Sequence, residues 1–145
     1  MRYNLDIIIP VYNEHGNILK TLSEIIKQIN IKYRIIVVYD YEEDPTLKVI
    51  TKNFKLDKIF LIKNKYFGFN GAVKTGFENL DAEAIMLYPA DDHINFNLIT
   101  EMYNTYKEGY DVVCASRFVK GGSYKGAPLL KRTIVKLVSL TLDIL

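Results

Sequence analysis

The stretch of sequence that decides the fold is residues 5–14, LDIIIPVYNE. Residues 5–9 are apolar apart from Asp6 and rich in isoleucine, a pattern typical of a β-strand that is buried on both faces. Pro10 has no backbone N–H to donate to a sheet, so we expect the strand to stop there. Polar residues follow at once, and the stretch therefore predicts a buried strand with a functional loop at its carboxyl end.

Strands and helices alternate along the rest of the chain. Further apolar runs predict strands at residues 35–38, 59–62, 84–90 and 112–115. The segments between them predict helices, because apolar residues recur there at helical spacing. Asp44 and Pro45 fit the N-cap and first residue of one helix, and Asn95 is placed to cap another. This order predicts an α/β fold with a mostly parallel, Rossmann-like central sheet and helices on both faces.

Composition excludes several classes of protein. A chain of 145 residues with a net charge of +2 is one domain without the basic surface of a dedicated nucleic-acid binder. The single cysteine, Cys114, excludes an internal disulfide and a multi-cysteine zinc site, and favours a reducing compartment. The first residues enter a strand without an apolar leader, so we expect a cytoplasmic protein.

Two adjacent carboxylates, Asp91 and Asp92, follow the predicted fourth strand. Ligands of parallel α/β sheets bind beyond the carboxyl ends of the strands, and two carboxylates with water suit Mg²⁺ or Mn²⁺ that also holds phosphate oxygens. The alternative is a turn into the next helix, although Asn95 is better placed to cap that helix. His93 is either a third ligand or a solvent-facing side chain. We therefore predict a divalent-cation site at the two aspartates.

Other polar residues follow the remaining strand ends. Asp40 suits a hydrogen bond to a base or ribose, with a turn aspartate as the alternative. Tyr12 either stacks on a base or packs, and Glu14 belongs either to the site or to the start of a helix. Arg117 suits a bidentate contact with a diphosphate, and Lys74 adds charge, unless both are exposed ion-pair partners.

Two common nucleotide-binding loops are disfavoured. The glycines within residues 68–71 lack the Gly-Lys-Ser/Thr ending of a Walker A loop, and no G-x-G-x-x-G pattern follows the first strand. The site therefore needs another explanation.

With these residues assembled, the chain resembles the family 2 glycosyltransferases of the GT-A fold, and within them the dolichyl-phosphate mannose synthase and polyprenyl-phosphate sugar transferase branch. The blocks that carry the resemblance occur in the family's order, at residues 7–14, 37–46, 64–77, 90–92 and 112–122. They resemble the opening P-x-Y-N-E loop, V-V-D-D-G-S-x-D-G-T, R-N-x-G-x-G-x-A-x-x-x-G-F, D-x-D and D-V-V-x-G-S-R-Y-x-x-G-G.

The resemblance implies an inverting enzyme that moves a sugar from a UDP- or GDP-linked donor to a glycan or lipid-phosphate acceptor, as in cell-envelope glycan synthesis. It implies donor contacts from Pro10, Tyr12, Glu14, Asp40, Lys74, Asp91 and Arg117. It gives the catalytic role, stabilisation of the leaving diphosphate, to Arg117 and to Mg²⁺ or Mn²⁺ on Asp91 and Asp92.

Several positions depart from the family pattern. Tyr39 replaces the first aspartate of the D-D pair, Tyr41 and Glu42 replace Gly-Ser, and Pro89 stands at the first aspartate of D-A-D. These changes leave open a catalytically silent nucleotide-binding module or an inactive truncated fragment. A sugar-1-phosphate nucleotidyltransferase is disfavoured, because residues 10–14 do not form a G-x-G-T-R-like loop.

The C-terminal stretch predicts a separate segment. We expect residues 1–122 to form the nucleotide-sugar-binding core, and residues 123–145 to form a basic loop and an amphipathic helix that stops before an acceptor-side segment. The apolar run 129–145 is too short and too charged to span a bilayer, being interrupted by Lys131, Arg132, Lys136 and Asp143. It is either an interfacial helix, with peripheral contact at the inner face of the membrane, or a helix that packs on further sequence.

Overall fold

The computed structural model of the chain describes residues 3–117 and Thr133. The chain divides into two compact units, Met1–Val113 and Cys114–Leu145. The elements of the first unit are, in order, β1 (Tyr3–Val11), α1 (Ile18–Gln28), β2 (Tyr33–Tyr39), α2 (Pro45–Asn53), β3 (Ile59–Lys63), α3 (Gly68–Phe77), β4 (Ala82–Leu87) and α4 (Phe96–Lys107). The alternation confirms the predicted α/β class.

The described strands form one parallel sheet of order β3-β2-β1-β4. β1 lies at the centre, with Val11 opposite Tyr39 of β2 and Ile8 opposite Leu87 of β4. β3 pairs with the outer side of β2 and ends at Lys63, which also lies opposite Tyr39. The register therefore brings the carboxyl ends of three neighbouring strands, β1, β2 and β3, to the same level.

Helices cover both faces of the sheet, as the sequence predicts. The larger core joins alternate residues of β1 and β2 to α1 and α4, with Ile7, Ile35, Leu22 and Ile99 among its buried members. α3 covers the opposite face, where Ala72 packs with Ile8, Ile36 and Val38. Burial of these side chains on both faces of β1 explains why that strand reads as a continuous apolar run.

A close approach between α3 and β1 requires a glycine at position 76. A Cβ atom built there would lie 2.6 Å from Cγ2 of Ile8, which is too near for a side chain without a shift of the helix or the strand. Gly76 therefore sets how closely α3 packs on the sheet.

One charged residue interrupts the apolar run of β1 and is fully buried. Asp6 accepts hydrogen bonds from Nε and a terminal nitrogen of Arg34, at 2.9 and 2.5 Å, and from the backbone N–H of Asp81, at 2.8 Å. The same guanidinium donates to the carbonyl of Asn79 at 2.9 Å. This cluster ties β1 and β2 to the turn between α3 and β4.

The prediction that Pro10 ends the first strand is wrong. β1 continues to Val11, and Pro10 lies opposite Val38. Alternate residues of a central parallel strand direct their N–H and C=O groups to opposite neighbours. The carbonyl of Ile8 accepts from Tyr88 on the β4 side, so Pro10 faces that side too. Because the pairing of β1 with β4 ends at Ile8, the missing N–H costs no ladder hydrogen bond.

The predicted fifth strand is also wrong. Residues 112–115 have no regular secondary structure, and the side chain of Val112 is 78% exposed. Three or four apolar residues do not make a strand unless a neighbouring strand pairs with them, and no described strand pairs with these.

The fourth strand is shorter and less buried than predicted. β4 ends at Leu87 rather than at residue 90. Ala84 and Met86 are buried, but Ile85 and Leu87 on the opposite face are exposed by 40% and 43%. On that face α3 packs on β1 and β2, so one side of β4 is left outside the core.

The predicted segment 123–145 lies outside the described residues except for Thr133, and the boundary at residue 122 stays a prediction. Within the described residues, no helix has both the length and the hydropathy needed to cross a bilayer.

Candidate functional site

A cleft of about 160 Å³ opens at the carboxyl edge of the sheet. It lies between the loops that follow β1 and β2 and the start of α3, and it is lined by Pro10, Val11, Tyr12, Glu14, Asp40, Gly68, Phe69 and Ala72. The structure thus brings together Pro10, Tyr12, Glu14 and Asp40, all of which the sequence predicts as donor-site residues. Tyr12 and Phe69 are 60% and 63% exposed, so the cleft combines carboxylates with aromatic surface.

Asp40 joins the loop after β2 to the start of α3. Its Oδ1 accepts from Nδ2 of Asn64 at 2.6 Å, and its Oδ2 accepts from the backbone N–H of Gly68 at 3.1 Å. A turn aspartate would bond its own neighbours, whereas these partners are distant in sequence. Each carboxylate oxygen has two lone pairs, so Asp40 retains acceptor capacity at the wall of the cleft.

Asn64 is a site residue that the sequence reasoning missed. Besides Asp40, its side chain contacts the carbonyl of Gly68 at 3.0 Å, the N–H of Tyr66 at 3.0 Å and the hydroxyl of Thr75 at 3.0 Å. Its backbone N–H donates to the carbonyl of Tyr39 at 2.7 Å. Asn64 therefore fixes the loop that leads into α3, where Phe69 lies in the first turn. Its position directly after a strand was the sequence signal that could have identified it.

The loop after β1 is held by the start of α2. The buried carboxylate of Asp44 accepts the N–H of Thr46 at 2.8 Å, as the predicted N-cap, and also the N–H of Asn13 at 3.0 Å. The N–H of Glu14 donates to the hydroxyl of Thr46 at 2.8 Å. The cap prediction is confirmed, but the second role of Asp44 depends on residues far apart in sequence and was missed.

Glu14 also has the structural role that the sequence left open. Its carbonyl accepts the N–H groups of Asn17 and Ile18 at 3.0 and 2.9 Å, and its carboxylate accepts from Nδ2 of Asn17 at 2.8 Å. Glu14 therefore supports the start of α1 while it lines the cleft.

The two aspartates after β4 have different surroundings. Asp91 is exposed. Oδ1 of Asp92 accepts the backbone N–H groups of Ile94 and Asn95 at 3.0 and 3.1 Å, and its Oδ2 accepts from Nδ2 of Asn95 at 2.8 Å. Burial raises the pKa of Asp92, but these hydrogen bonds outweigh it and the net pKa is lowered. Asp92 is therefore ionised, and part of its capacity to accept hydrogen bonds is used within the turn.

The predicted position of Asn95 at the start of the following helix is confirmed, but its side chain does not act as the cap. Asn95 occupies the N-cap position of α4, but its side chain makes no cap hydrogen bond and instead donates to Asp92.

The chain before the aspartates is anchored from two sides. The hydroxyl of Thr21 in α1 is buried and donates to the carbonyl of Ala90 at 2.6 Å. The ring of Tyr88 stacks on Phe96, and its hydroxyl donates to the carbonyl of Asp92 at 3.3 Å. Burial, together with the charge of Asp92, raises the pKa of Tyr88, so its hydroxyl remains a donor. This turn therefore holds Asp91 at the same edge of the sheet as the cleft.

The side chains at this turn would bind a cation only together with ligands supplied by a substrate and by water. Within residues 3–117, no cluster of three or more His, Cys, Asp or Glu side chains has the geometry of a metal site. Nε2 of His93 is buried and has no hydrogen-bond partner among the described residues. Asp91 and the second lone pair of Asp92 Oδ2 are suitable donors, and phosphate oxygens and water would complete the coordination.

Lys74, one of the predicted donor-site residues, does not line this cleft. Lys74 is exposed on α3, and its Nζ lies 4.0 Å from the ring centroid of Tyr66 rather than in the cleft lining. Arg117 is exposed and belongs to the second unit. The roles proposed for both stay predictions.

The sequence matches the model of the family described as "Glycosyl transferase family 2" over residues 6–142. The chain belongs to glycosyl transferase family 2. The predicted family is confirmed, and the family accounts for the polar loops that meet at the carboxyl edge of the sheet.

Curated relatives of this family 2 chain come from bacteria and archaea. It is 32% identical over 127 residues to "Uncharacterized glycosyltransferase sll0501" of Synechocystis, a match that covers 84% of the chain and 40% of the relative. It is 29% identical over 136 residues to "Dolichol-phosphate mannosyltransferase" of Pyrococcus furiosus, covering 91% and 38%. A third relative is "Undecaprenyl-phosphate 4-deoxy-4-formamido-L-arabinose transferase" of Proteus mirabilis, 29% identical over 119 residues, covering 78% and 36%. The chain thus spans well under half the length of these relatives.

Solved structures confirm the GT-A fold of the chain. Staphylococcus aureus TarS 1-349 in complex with UDP superimposes with a TM-score of 0.64 at 19% identity, covering 81% of this chain and 40% of TarS. Glucosyl-3-phosphoglycerate synthase from Mycobacterium tuberculosis, in complex with Mn²⁺, UDP and glucosyl-3-phosphoglycerate, gives 0.60 at 10% identity, covering 72% and 39%.

Proposed function

We propose that this chain is the donor-binding part of a glycosyltransferase that passes a sugar from a uridine-diphosphate sugar to a lipid-phosphate acceptor. The observation that carries the proposal is the cleft in which Pro10, Tyr12, Glu14 and Asp40 meet at the carboxyl edge of the sheet. Family membership supports the reaction class. The UDP and UDP-GlcNAc complexes of TarS support the donor, and the lipid-phosphate names of two relatives support the acceptor.

The cleft has the chemistry that a nucleoside needs. The exposed rings of Tyr12 and Phe69 offer stacking surface for a base. The remaining lone pairs of Asp40 suit ribose hydroxyls or a ring N–H. The hydrogen bonds from Asn64 and Gly68 keep that carboxylate in place before the donor arrives, so little order has to be imposed on binding.

The diphosphate would lie towards the turn that carries Asp91. Asp91 and Asp92 would hold Mg²⁺ or Mn²⁺. When bound, the cation supplies Lewis-acid stabilisation of the charge that develops on the leaving diphosphate. In the transfer, the bond from the anomeric carbon to the diphosphate oxygen breaks as an acceptor oxygen attacks from the opposite side, with inversion. A lipid phosphate is already ionised near pH 7, so this chain's residues need not remove a proton from it.

The same proposal places the protein in the cytoplasm, with contact at the inner face of the membrane, where a lipid phosphate and a soluble nucleotide sugar are both accessible. It also implies a part in the synthesis of a cell-envelope glycan. The guanidinium of Arg117 would add positive charge to the diphosphate site.

A catalytically silent nucleotide-binding module is the second candidate. It is favoured by Tyr39, which is buried and donates its hydroxyl to Glu42 at 3.1 Å where the family pattern has an aspartate. It is also favoured by the hydrogen bonds that Asp92 accepts from Ile94 and Asn95, because they leave fewer lone pairs for a cation. Such a module would bind nucleotide without transferring or hydrolysing the sugar of a donor.

Calorimetric titration of the full chain with UDP, GDP and dTDP, each with and without Mn²⁺, tests the proposal. We expect UDP to bind most tightly and Mn²⁺ to strengthen its binding. Asp91→Asn should remove the Mn²⁺-dependent part and leave the melting temperature unchanged, whereas Asp57→Asn, at another exposed carboxylate, should change neither. Equal metal-independent binding of all nucleotides, or no binding, would refute the donor site.

A further inference from the structure

Tyr41 lies beside Tyr12 at the edge of the cleft. The pairing of Val11 with Tyr39 makes the loops after β1 and β2 neighbours. In these loops the ring centroids of Tyr12 and Tyr41 are 5.7 Å apart, with an angle of 65° between the ring planes. An edge-to-face contact of this kind is attractive beyond the area that it buries. Tyr41 therefore supports the side of an otherwise exposed ring.

The hydroxyl of Tyr41 also contacts the residue that follows Tyr12. It donates a hydrogen bond to Oδ1 of Asn13. Asn13 has a φ of 58°, in the left-handed region that non-glycine residues rarely adopt. Its N–H donates to the buried carboxylate of Asp44 at 3.0 Å. Asn13 is thus held through both its side chain and its backbone, which fixes the direction in which the neighbouring Tyr12 leaves the main chain.

Tyr41 is suited to act as a neutral donor at this place. Desolvation, followed by the negative charge of Asp44, raises the pKa of Tyr41. The hydroxyl therefore keeps its proton across the physiological range and continues to donate to Asn13. At this position the family pattern has glycine, so the contact is a feature of this chain and not of the family motif.

We propose that Tyr41 is a positioning residue that orders the ring of Tyr12 for stacking on the base of a nucleoside diphosphate. This inference rests on the proposed donor site, because it concerns how that site is prepared. An exposed aromatic side chain changes rotamer rapidly, and a ligand that stacks on it must first restrict that motion. When Tyr41 has already ordered the ring, the nucleotide does not meet that cost.

A double-mutant cycle on the full chain tests whether Tyr41 acts through Tyr12. The variants are Tyr12→Ala, Tyr41→Ala and the double variant, each titrated with UDP in the presence of Mn²⁺. Tyr41→Ala should weaken UDP binding roughly two- to tenfold, which corresponds to the ordering of one side chain. In the Tyr12→Ala background the same substitution should have no further effect, because the ring that it positions is absent.

Additional variants separate positioning from folding. Tyr41→Phe keeps the ring contact and loses only the hydrogen bond to Asn13, so it should weaken binding less than Tyr41→Ala while retaining the wild-type melting temperature. Tyr110→Ala, at an exposed tyrosine of the first unit, is the matched control and should bind UDP like the wild type.

The outcomes distinguish this inference from the function on which it rests. Absence of UDP binding by the wild type would overturn both. Normal UDP binding by the wild type with an unchanged affinity for Tyr41→Ala would overturn the positioning role alone. A loss of affinity that persists undiminished in the Tyr12→Ala background would also overturn it, since Tyr41 would then act independently of Tyr12.

Discussion

Asp44→Ala should destabilise the protein and loosen the nucleotide loop together. The carboxylate is fully buried, and it joins two parts of the chain: Oδ1 accepts the N–H of Thr46 at the start of α2, and Oδ2 accepts the N–H of Asn13 in the loop after β1. Alanine removes both acceptors from a place that water does not reach.

The expected loss in the free energy of unfolding follows from these two hydrogen bonds. Loss of an N-cap costs about 0.5–2 kcal/mol, and a buried N–H left without a partner costs about 1–3 kcal/mol. Because the two contacts share one carboxylate, we expect a total loss of about 1–4 kcal/mol in the free energy of unfolding, below the full sum of about 1.5–5 kcal/mol. That is a large part of the roughly 5–15 kcal/mol typical of a folded domain.

Urea unfolding followed by far-ultraviolet circular dichroism measures this loss. Asp44→Asn should lie between wild type and Asp44→Ala, because an amide has only one oxygen for the two N–H groups. Glu101→Ala, at an exposed carboxylate of α4, should stay within about 0.5 kcal/mol of wild type. A loss for Asp44→Ala as small as that of Glu101→Ala would refute the reasoning. So would a destabilised Asp44→Ala that binds UDP with wild-type affinity while folded, since Asn13 would then not depend on this contact.

Two further predictions concern the fold and its dependence on pH. Asp6→Ala should cost about 3–5 kcal/mol in urea unfolding, because it leaves the nearly buried guanidinium of Arg34 without its partner. Glu78→Ala, which breaks an exposed ion pair with Lys65, should change the free energy of unfolding far less, because solvent screens an exposed pair. Hydrogen bonds lower the pKa of Asp92 below its ordinary value of 3.8, so its contribution to stability is present above that value and is lost as the pH falls through the folded-state pKa. The melting temperature of Asp92→Asn should therefore fall less than that of wild type between pH 5 and pH 2, and identical slopes would contradict this.

The order of strands and helices was largely predictable, because it depends on local patterns. Burial on both faces makes β1 and β2 continuous apolar runs, and the N-cap at Asp44 followed by Pro45 marks the start of α2. The same local reasoning failed at residues 112–115 and at Pro10. In both places the result depends on which strand lies alongside, and one sequence without its partners does not contain that information.

The candidate site was predictable in its members but not in their contacts. The loops after β1 and β2 contribute Tyr12 and Asp40 as expected, since parallel strands present their carboxyl ends together. Asn64 and Thr21 were missed because each acts on a residue brought near only by folding. Asn95 occupies the predicted N-cap position, but its side chain donates to Asp92 rather than capping α4, a contact that depends on the conformation of the turn.

By itself the sequence determined the α/β class and the edge of the sheet at which polar residues collect, since these follow from apolar periodicity and from polar residues at strand ends. The family followed from the resemblance of its motif blocks and from the match over residues 6–142. Only the tertiary structure decided which of those polar groups are already occupied. Asp92 accepts hydrogen bonds within the turn before α4, and Asp40 accepts a hydrogen bond from the start of α3. The ring of Tyr41 contacts the ring of Tyr12. Hydrogen bonds and ring contacts act over a few ångströms, and only the packed chain brings residues distant in sequence within that range.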